Sequence, residues 1–443
     1  MKSLLSGSLV TFSSRIVIFV FNLITLSLYT RALGPELRGI FALLLLVEVI
    51  LGLFIPPVDL ANTYFASIKA SEISRIAGNT FAFAIFSVLA IIIALMLVSL
   101  VPQYNSFLAQ RGIEQELVWF AAMVVPPMLL WRALGRLLLG CKQVVSYNII
   151  LIFVVVLRFV TVLSLHILGA ITLRNLLLAN IASHIITAVF AVMLVRRLTP
   201  FSRAIDFPLL KDMLKYAVRS QIWNVSLMTE RRFDTMMAAG FLTSTALGLY
   251  AAAVDLLEKF WALPESVATV LLPTIAARQG RDYGETTTLV VRHVFWITMF
   301  LALGVSVLAE PIVSALFGSL FLSTSNLLRI LLPSAATLTV IRLISVDYAG
   351  RGKPEFGALI AITDIVVMFA LIVWLSPRWG ASGVATASMV GYASAAFVAA
   401  WLFARKHHIG ITALFIPRIS DLRIYQHLFA STFRRVKAAV SHS

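Results

Sequence analysis

The sequence predicts an all-α membrane protein of about twelve transmembrane helices, arranged as two parallel six-helix repeats around a central cavity. Three observations support this prediction: the composition, the distribution of charge between hydrophobic segments, and an internal repeat. Of the 443 residues, 60% are hydrophobic and 13% are charged, and the mean hydropathy is +0.95. No soluble fold of this size buries so much apolar surface, so most of it faces lipid or other lipid-embedded helices.

Hydrophobic segments of about 20 residues, the length that crosses a bilayer, recur from residue 10 to residue 404. The seventh is the weakest because it carries five charged residues, but its neighbours require a crossing there and a helix facing water accommodates charge. Those residues are Arg219, Glu230, Arg231, Arg232 and Asp234. The predicted spans are 10–30, 39–60, 79–101, 117–139, 144–168, 172–195, 216–241, 248–272, 288–309, 327–349, 355–376 and 382–404.

The net charge of +16 lies mostly in loops and in the C-terminal tail, so it indicates membrane orientation rather than nucleic-acid binding. Lys and Arg are concentrated in alternate loops, which places those loops and both termini in the cytoplasm. The N-terminus lacks a secretory cleavage site and is predicted to begin the first span. A single cysteine, Cys141, excludes an intramolecular disulfide framework.

Two halves of the sequence match at a nearly constant offset. The segments that begin at Leu33 and Leu242 align at 209, Arg132 and Gly140 align with Arg342 and Gly350 at 210, and Gly169 aligns with Gly380 at 211. Six spans per half is an even number, so the repeats run parallel. The predicted domains are an N-terminal bundle (1–199), a cytoplasmic linker (200–215), a C-terminal bundle (216–404) and a basic tail (405–443). The tail is either an amphipathic helix on the membrane surface or disordered.

The loops on the extracytoplasmic side are short, the longest running from Pro102 to Glu116. They leave no room for a catalytic domain. The sequence also has no metal-ligand cluster, nucleophile elbow or glycine-rich phosphate loop. We therefore expect a transporter that is not an enzyme and has no cofactor or metal.

Six segments carry motifs in a characteristic order and spacing: 29–39, Arg232-Phe233-Asp234, 247–251, Leu271-Leu272-Pro273, 350–354 and 379–387. Together they resemble bacterial polysaccharide and O-antigen flippases of the multidrug/oligosaccharidyl-lipid/polysaccharide exporter superfamily. The resemblance covers about residues 5–405 and implies a multi-pass protein of the cytoplasmic (inner) membrane. It also implies a flippase for lipid-linked oligosaccharide, usually carried on undecaprenyl pyrophosphate, in surface polysaccharide or lipopolysaccharide biosynthesis. Implied partners are membrane lipids and the polysaccharide polymerase and chain-length machinery, with no nucleic acid.

A diphosphate in a membrane cavity needs cationic partners, and arginine binds two phosphate oxygens at once. Six residues are candidates for substrate binding: Arg15, Asn22, Asn224, Arg231, Arg132 and Arg342. The first four lie on polar faces of the first and seventh spans, and the repeat pairs Arg15 with Asn224. The alternative is hydrogen bonding to neighbouring helices or, for Arg132 and Arg342, snorkelling to the headgroups. For Arg158, structural pairing and substrate contact both stay open.

Three carboxylates are candidates for coupling transport to an ion gradient: Glu48, Asp255 and Glu258. For the last two, an internal ion pair with Lys259 is the alternative. His184 is expected to pack and hydrogen-bond rather than to relay protons. Two other functions stay open: a cation or drug exporter of the same superfamily, which requires an acidic cavity, and a non-transporting scaffold for glycan assembly.

Overall fold

The computed structural model describes residues 2–202, 204–276, 284–351, 353 and 355–417. The side chains of 2–12, 70, 222–231, 270, 272–274 and 276 lie outside this description. The described chain is almost entirely helical and contains no strand. The prediction of an all-α fold is therefore confirmed.

Sixteen α-helices are present in the described chain. The first eight are α1 (Lys2–Phe54), α2 (Val58–Ile68), α3 (Ile73–Ser99), α4 (Pro102–Gln110), α5 (Gln115–Met123), α6 (Val125–Gly140), α7 (Val144–Ile167) and α8 (Leu173–Arg196). The others are α9 (Phe207–Phe241), α10 (Ser244–Leu257), α11 (Ala262–Ala276), α12 (Gly284–Val307), α13 (Ala309–Phe317), α14 (Ser323–Leu331), α15 (Pro333–Gly350) and α16 (Glu355–Lys406). Short 3₁₀ helices cover Ala70–Glu72, Glu258–Trp261, Ser319–Phe321 and Ile411–Leu414.

The order of helices repeats. A long helix (α3 or α12) is followed by two helices of nine residues (α4 and α5, or α13 and α14). A helix that begins at a proline-containing turn (α6 or α15) comes next. The last two helices of the first repeat, α7 and α8, correspond to the two halves of α16. The predicted two repeats are confirmed.

Glycines break the longest helices. α1 changes direction at Gly34, with φ 70°, and α16 at Gly380, with φ 54°. Gly169, which aligns with Gly380, has φ 61° in the loop between α7 and α8. Side chains other than hydrogen rarely tolerate this left-handed conformation. The match between Gly169 and Gly380 in the sequence therefore reflects a shared requirement of the backbone.

Eight helices in the described chain are long and apolar enough to cross a membrane. Two of them, of 42 and 52 residues, are broken at Gly34 and Gly380, and each is long enough for two crossings. The helix α9 and the pair α10 and α11 occupy the positions of the predicted seventh and eighth spans. Together these segments account for about twelve crossings.

The contacts divide the chain into two compact units. The first comprises Met1–Ala252, Glu310–Ser325 and Trp379–Ala381, and the second comprises Ala253–Ala309, Asn326–Arg378 and the described part of Ser382–Ser443. The predicted domain boundaries at residues 199 and 216 stay a prediction.

Each unit has a packed interior and an apolar exterior. In the first unit, Ile76, Leu134, Leu137 and Met213 are fully buried in one hydrophobic cluster. Leu97 on the outer face of α3 is 61% exposed. An exposed apolar helix face is typical of a surface that contacts lipid tails.

The segment after α16 folds back onto α12 within the second unit. Arg292 Nε donates to the carbonyl of Ala413 at 3.0 Å, and Trp296 Nε1 donates to the carbonyl of Phe415 at 2.6 Å. Leu414, in the short 3₁₀ helix between these carbonyls, is fully buried. The proposed amphipathic helix of the tail falls mostly on 418–443, which lie outside the described residues.

Candidate functional site

A chain of polar side chains crosses the interior of the first unit. Asn180 Nδ2 donates to Glu48 Oε1 at 3.0 Å, and Arg158 Nε donates to Asn180 Oδ1 at 3.2 Å. Arg158 Nη2 donates to the same oxygen. The three residues come from α8, α1 and α7, so the chain links three predicted spans. Arg158 has the structural pairing that was one of its two predicted roles.

Glu48 also lines a small cavity within the first unit. The cavity has a volume of about 40 Å³, and its wall includes Asp59, Thr80 and Arg132. This volume holds a few water molecules and is far too small for an oligosaccharide. Two carboxylates beside one guanidinium make the cavity suitable for water, a proton or a small cation.

His184 makes the packing contact that the sequence predicts. Trp131 Nε1 donates to His184 Nδ1 at 2.8 Å, and the two rings are stacked. A ring nitrogen that accepts this bond carries no proton, so the imidazole has a defined tautomer.

Arg132 and Arg342, matched by the repeat, each contact a carboxylate. Arg132 Nη2 lies 3.5 Å from Asp59 Oδ2 in the first unit. In the second unit, Arg342 donates from Nε and Nη2 to the two oxygens of Glu265 at 2.8 and 2.9 Å. Both arginines therefore have acidic partners, which sequence reasoning missed. Asp59 and Glu265 follow Pro57 and Pro264 at the starts of α2 and α11. This shared position after a proline could have identified them in the sequence as equivalent residues.

The predicted diphosphate site formed by Arg15, Asn22, Asn224 and Arg231, the arginine clamp, is described only in part. Arg15 is exposed on α1, and Asn22 is half-buried on the same helix. The side chains of Asn224 and Arg231 lie outside the described residues. The joint binding of a diphosphate by these residues stays a prediction.

The other two coupling candidates lie close together in the second unit. Asp255 is near the end of α10, and Glu258 begins the following 3₁₀ helix. Both are half-buried, and both interact with neighbouring groups. Their role in ion coupling stays a prediction.

A buried carboxylate, Asp234, lies between α9 and α10. The sequence analysis gave it no role beyond being one of five charged residues in the seventh span. Asp234 is 1% exposed and accepts hydrogen bonds from the Tyr250 hydroxyl at 2.8 Å and from the backbone nitrogen of Thr235 at 2.6 Å. Burial of a carboxylate without such donors is costly. Asp234 therefore fastens the end of α9 to α10, in a helix that the sequence marked as unusually polar.

The aligned glycines of the two repeats contact each other directly. A Cβ atom on Gly39 would lie 1.7 Å from the carbonyl oxygen of Ser244, and one on Gly248 would lie 1.8 Å from that of Pro35. Equivalent residues of two repeats meet only close to the axis that relates the repeats. The chain thus has a backbone crossing of α1 and α10 that only glycine permits.

Solved structures of membrane transporters have a similar fold. The fold is similar to the lipid II flippase MurJ in an inward closed conformation, with TM-score 0.72, 14% identity and coverage of 93% of this chain and 89% of that one. It is also similar to an inward-facing multidrug resistance MATE family transporter of the MOP superfamily, with TM-score 0.67, 17% identity and coverage of 92% and 98%. A MATE transporter of Vibrio cholerae, VcmN, matches with TM-score 0.63, 15% identity and coverage of 91% and 96%. The chain therefore has the fold of a multi-pass membrane transporter.

A match over most of the sequence identifies the protein family. Residues 30–326, more than half of the chain, match the family described as polysaccharide biosynthesis protein, and the chain belongs to it. No curated protein matches this sequence. The resemblance to polysaccharide flippases is confirmed at the level of the family and the superfamily fold.

Proposed function

We propose that this protein is a flippase that moves a lipid-linked oligosaccharide, on a polyprenyl diphosphate carrier, across the cytoplasmic membrane for surface polysaccharide biosynthesis. The observation that carries the proposal is the family match, because it links the chain to polysaccharide biosynthesis while the fold is that of a transporter. A transporter in polysaccharide synthesis needs a substrate that is made on one side of a membrane and used on the other. A lipid-linked oligosaccharide meets that requirement.

Alternating access is the proposed mechanism. Two parallel repeats give the chain two bodies that can open a cavity to either side in turn. The close crossing at Gly39 and Gly248 supports this mechanism, because a backbone contact between equivalent helices closes one end while it persists. Arg15, Asn22, Asn224 and Arg231 are the proposed contacts of the diphosphate.

Glu48 is the proposed coupling residue. Its carboxylate is held by Asn180 and borders a cavity of about 40 Å³ that admits water but not substrate. A carboxylate in such a cavity can bind a proton or a small cation without competing for space with the oligosaccharide. Asp255 and Glu258 are the proposed alternatives in the second unit.

The proposed location is the inner membrane, with both termini in the cytoplasm. The alternate distribution of Lys and Arg supports this orientation, and it places the Gly39 crossing at the extracytoplasmic end. Strong activity of a periplasm-active reporter fused after Ser443 would contradict it. The polymerase and chain-length proteins that act on the outer leaflet are the proposed functional partners.

Deletion of the gene tests the proposed function in cells. We expect surface polysaccharide to fall to background and the lipid-linked oligosaccharide to accumulate on the cytoplasmic leaflet, because the polymer precursor no longer crosses. Both are measured together, by surface glycan staining and by leaflet-specific extraction, with a plasmid-borne copy as the control. Normal surface glycan in a deletion strain without a compensating paralogue would refute the proposal.

A further inference from the structure

An ion pair between a carboxylate and an arginine joins corresponding helices in both repeats. Asp59, in the first turn of α2, contacts Arg132 of α6, and Glu265, in the first turn of α11, contacts Arg342 of α15. The acidic residues are separated by 206 positions and the arginines by 210. In each unit the helix with the carboxylate packs against the helix with the arginine. The repeat of this pair identifies it as a feature of the architecture.

In the proposed orientation, both arginines lie deeper in the membrane than the cytoplasmic ends of their helices. Arg132 is eight residues before the end of α6 at Gly140, and Arg342 is eight residues before the end of α15 at Gly350. At ~1.5 Å per residue each lies ~12 Å inside the proposed cytoplasmic end of its helix. A charge at this depth is retained where it has a partner or faces water. An anionic headgroup entering from the cytoplasm meets these arginines early in its path.

The two pairs differ in how firmly the arginine is held. Arg342 uses two nitrogens on Glu265, at 2.8 and 2.9 Å, which is the strong bidentate geometry. Arg132 approaches Asp59 with one nitrogen at 3.5 Å, and its side chain is 38% exposed. Four of the donors of a guanidinium are therefore not used by Asp59.

A second cation stands beside Asp59 in the first repeat. Arg136 Nε lies 4.0 Å from the same oxygen, Asp59 Oδ2, that Arg132 contacts. The aligned position in the second repeat is Val346. When Arg132 turns to another anion, Asp59 keeps a cationic neighbour, so its charge is not left unpaired.

We propose that Asp59, Arg132 and Arg136 form an anion-exchange site, at which the diphosphate of an incoming substrate displaces Asp59 from Arg132 and Asp59 passes to Arg136. The pair of Glu265 and Arg342 is the fixed counterpart, which holds α11 against α15 and does not exchange. Asp59 is a positioning residue: it keeps Arg132 oriented before the substrate arrives and competes for it afterwards, which promotes release. This inference rests on the proposed function for the identity of the anion.

The test is binding of inorganic pyrophosphate to the purified full-length protein in lipid nanodiscs. We expect Asp59→Asn to increase affinity by about fivefold, because it removes a competing carboxylate from a partly exposed pair. Arg132→Gln is expected to weaken the binding strongly, leaving only the proposed contacts at Arg15 and Arg231. Arg136→Gln is expected to weaken it less, because Asp59 then has no second partner. Glu265→Gln is the matched control and is expected to leave the affinity unchanged.

Unchanged or weaker binding by a folded Asp59→Asn protein would overturn the inference, as would equal gains in Asp59→Asn and Glu265→Gln. Thermal unfolding of each variant separates a structural ion pair from an exchange site. Transport distinguishes the two proposals: normal flipping with no effect of Asp59→Asn on pyrophosphate affinity refutes exchange alone. Absence of any flipping by the wild-type protein refutes the proposed function.

Discussion

Replacement of Gly39 or Gly248 by valine is expected to reduce transport by roughly ten- to a hundredfold per folded molecule. A Cβ at either position would overlap a backbone carbonyl oxygen at 1.7 or 1.8 Å, and contacts closer than 3.0 Å are essentially never seen. Rotation of a side chain does not relieve an overlap with backbone, so α1 and α10 must separate. The variants are therefore expected to populate a state in which the end formed by this crossing is open.

A cysteine reporter measures that opening. Leu247, beside Gly248, is fully buried, so a cysteine placed there in a Cys141→Ser background is expected to resist a membrane-impermeant thiol reagent applied to whole cells. With Gly39→Val the same cysteine is expected to react. Gly304→Val and Gly240→Val are matched controls, because a Cβ at either glycine meets no atom within 4 Å. Normal transport and continued protection in Gly39→Val would show that the crossing is not a gate.

Loss of Arg15 or Arg231 is the second large effect that we expect. A hydrogen bond to a charged group contributes about 1.5–3 kcal/mol, so Arg15→Ala and Arg231→Ala are each expected to weaken substrate binding by roughly one to two decades. Arginine to lysine keeps the charge but loses the fork that binds two oxygens. The lysine variants are therefore expected to be impaired only in part.

Flipping rate per correctly folded molecule decides between the clamp and a structural role. Arg219→Ala is the control, because Arg219 is exposed on the same helix as Arg231 but lies outside the proposed polar face. If Arg15 and Arg231 only stabilise helix packing, the alanine variants will give less folded protein with normal specific activity. That result would refute the clamp and leave the transporter function standing.

The sequence predicted the fold in detail because bilayer crossing depends on local composition. Hydropathy located α7 and α8 to within one residue at each end. The offset of Gly169 and Gly380 revealed the repeat, because a positive φ angle restricts both positions to glycine. The short helices α4 and α13 were missed, since nine polar and apolar residues next to a span carry no periodic signal of their own.

The polar contacts were harder to predict because they depend on which helix faces pack together. Glu48 and Arg158 were both noted, but Asn180, which bridges them, joins helices more than a hundred residues apart in sequence. Asp59 and Glu265 were not predicted as partners of Arg132 and Arg342, because 73 and 77 positions of sequence separate the members of the two pairs. The contact of Gly39 with the region of Gly248 was also not predicted, although both glycines had been aligned: a repeat shows which residues are equivalent and not which of them touch.

Reconstitution measures whether the protein alone moves a lipid-linked oligosaccharide between leaflets. Purified protein is incorporated into liposomes that contain a polyprenyl-diphosphate oligosaccharide, and the fraction of oligosaccharide exposed to an enzyme added outside is followed over time, with and without proton and sodium gradients. We expect transfer between leaflets to accelerate in proportion to the amount of folded protein, and a substrate without the diphosphate not to be moved. Transfer no faster than in protein-free liposomes, under every gradient and with folded protein present, would contradict the proposed function.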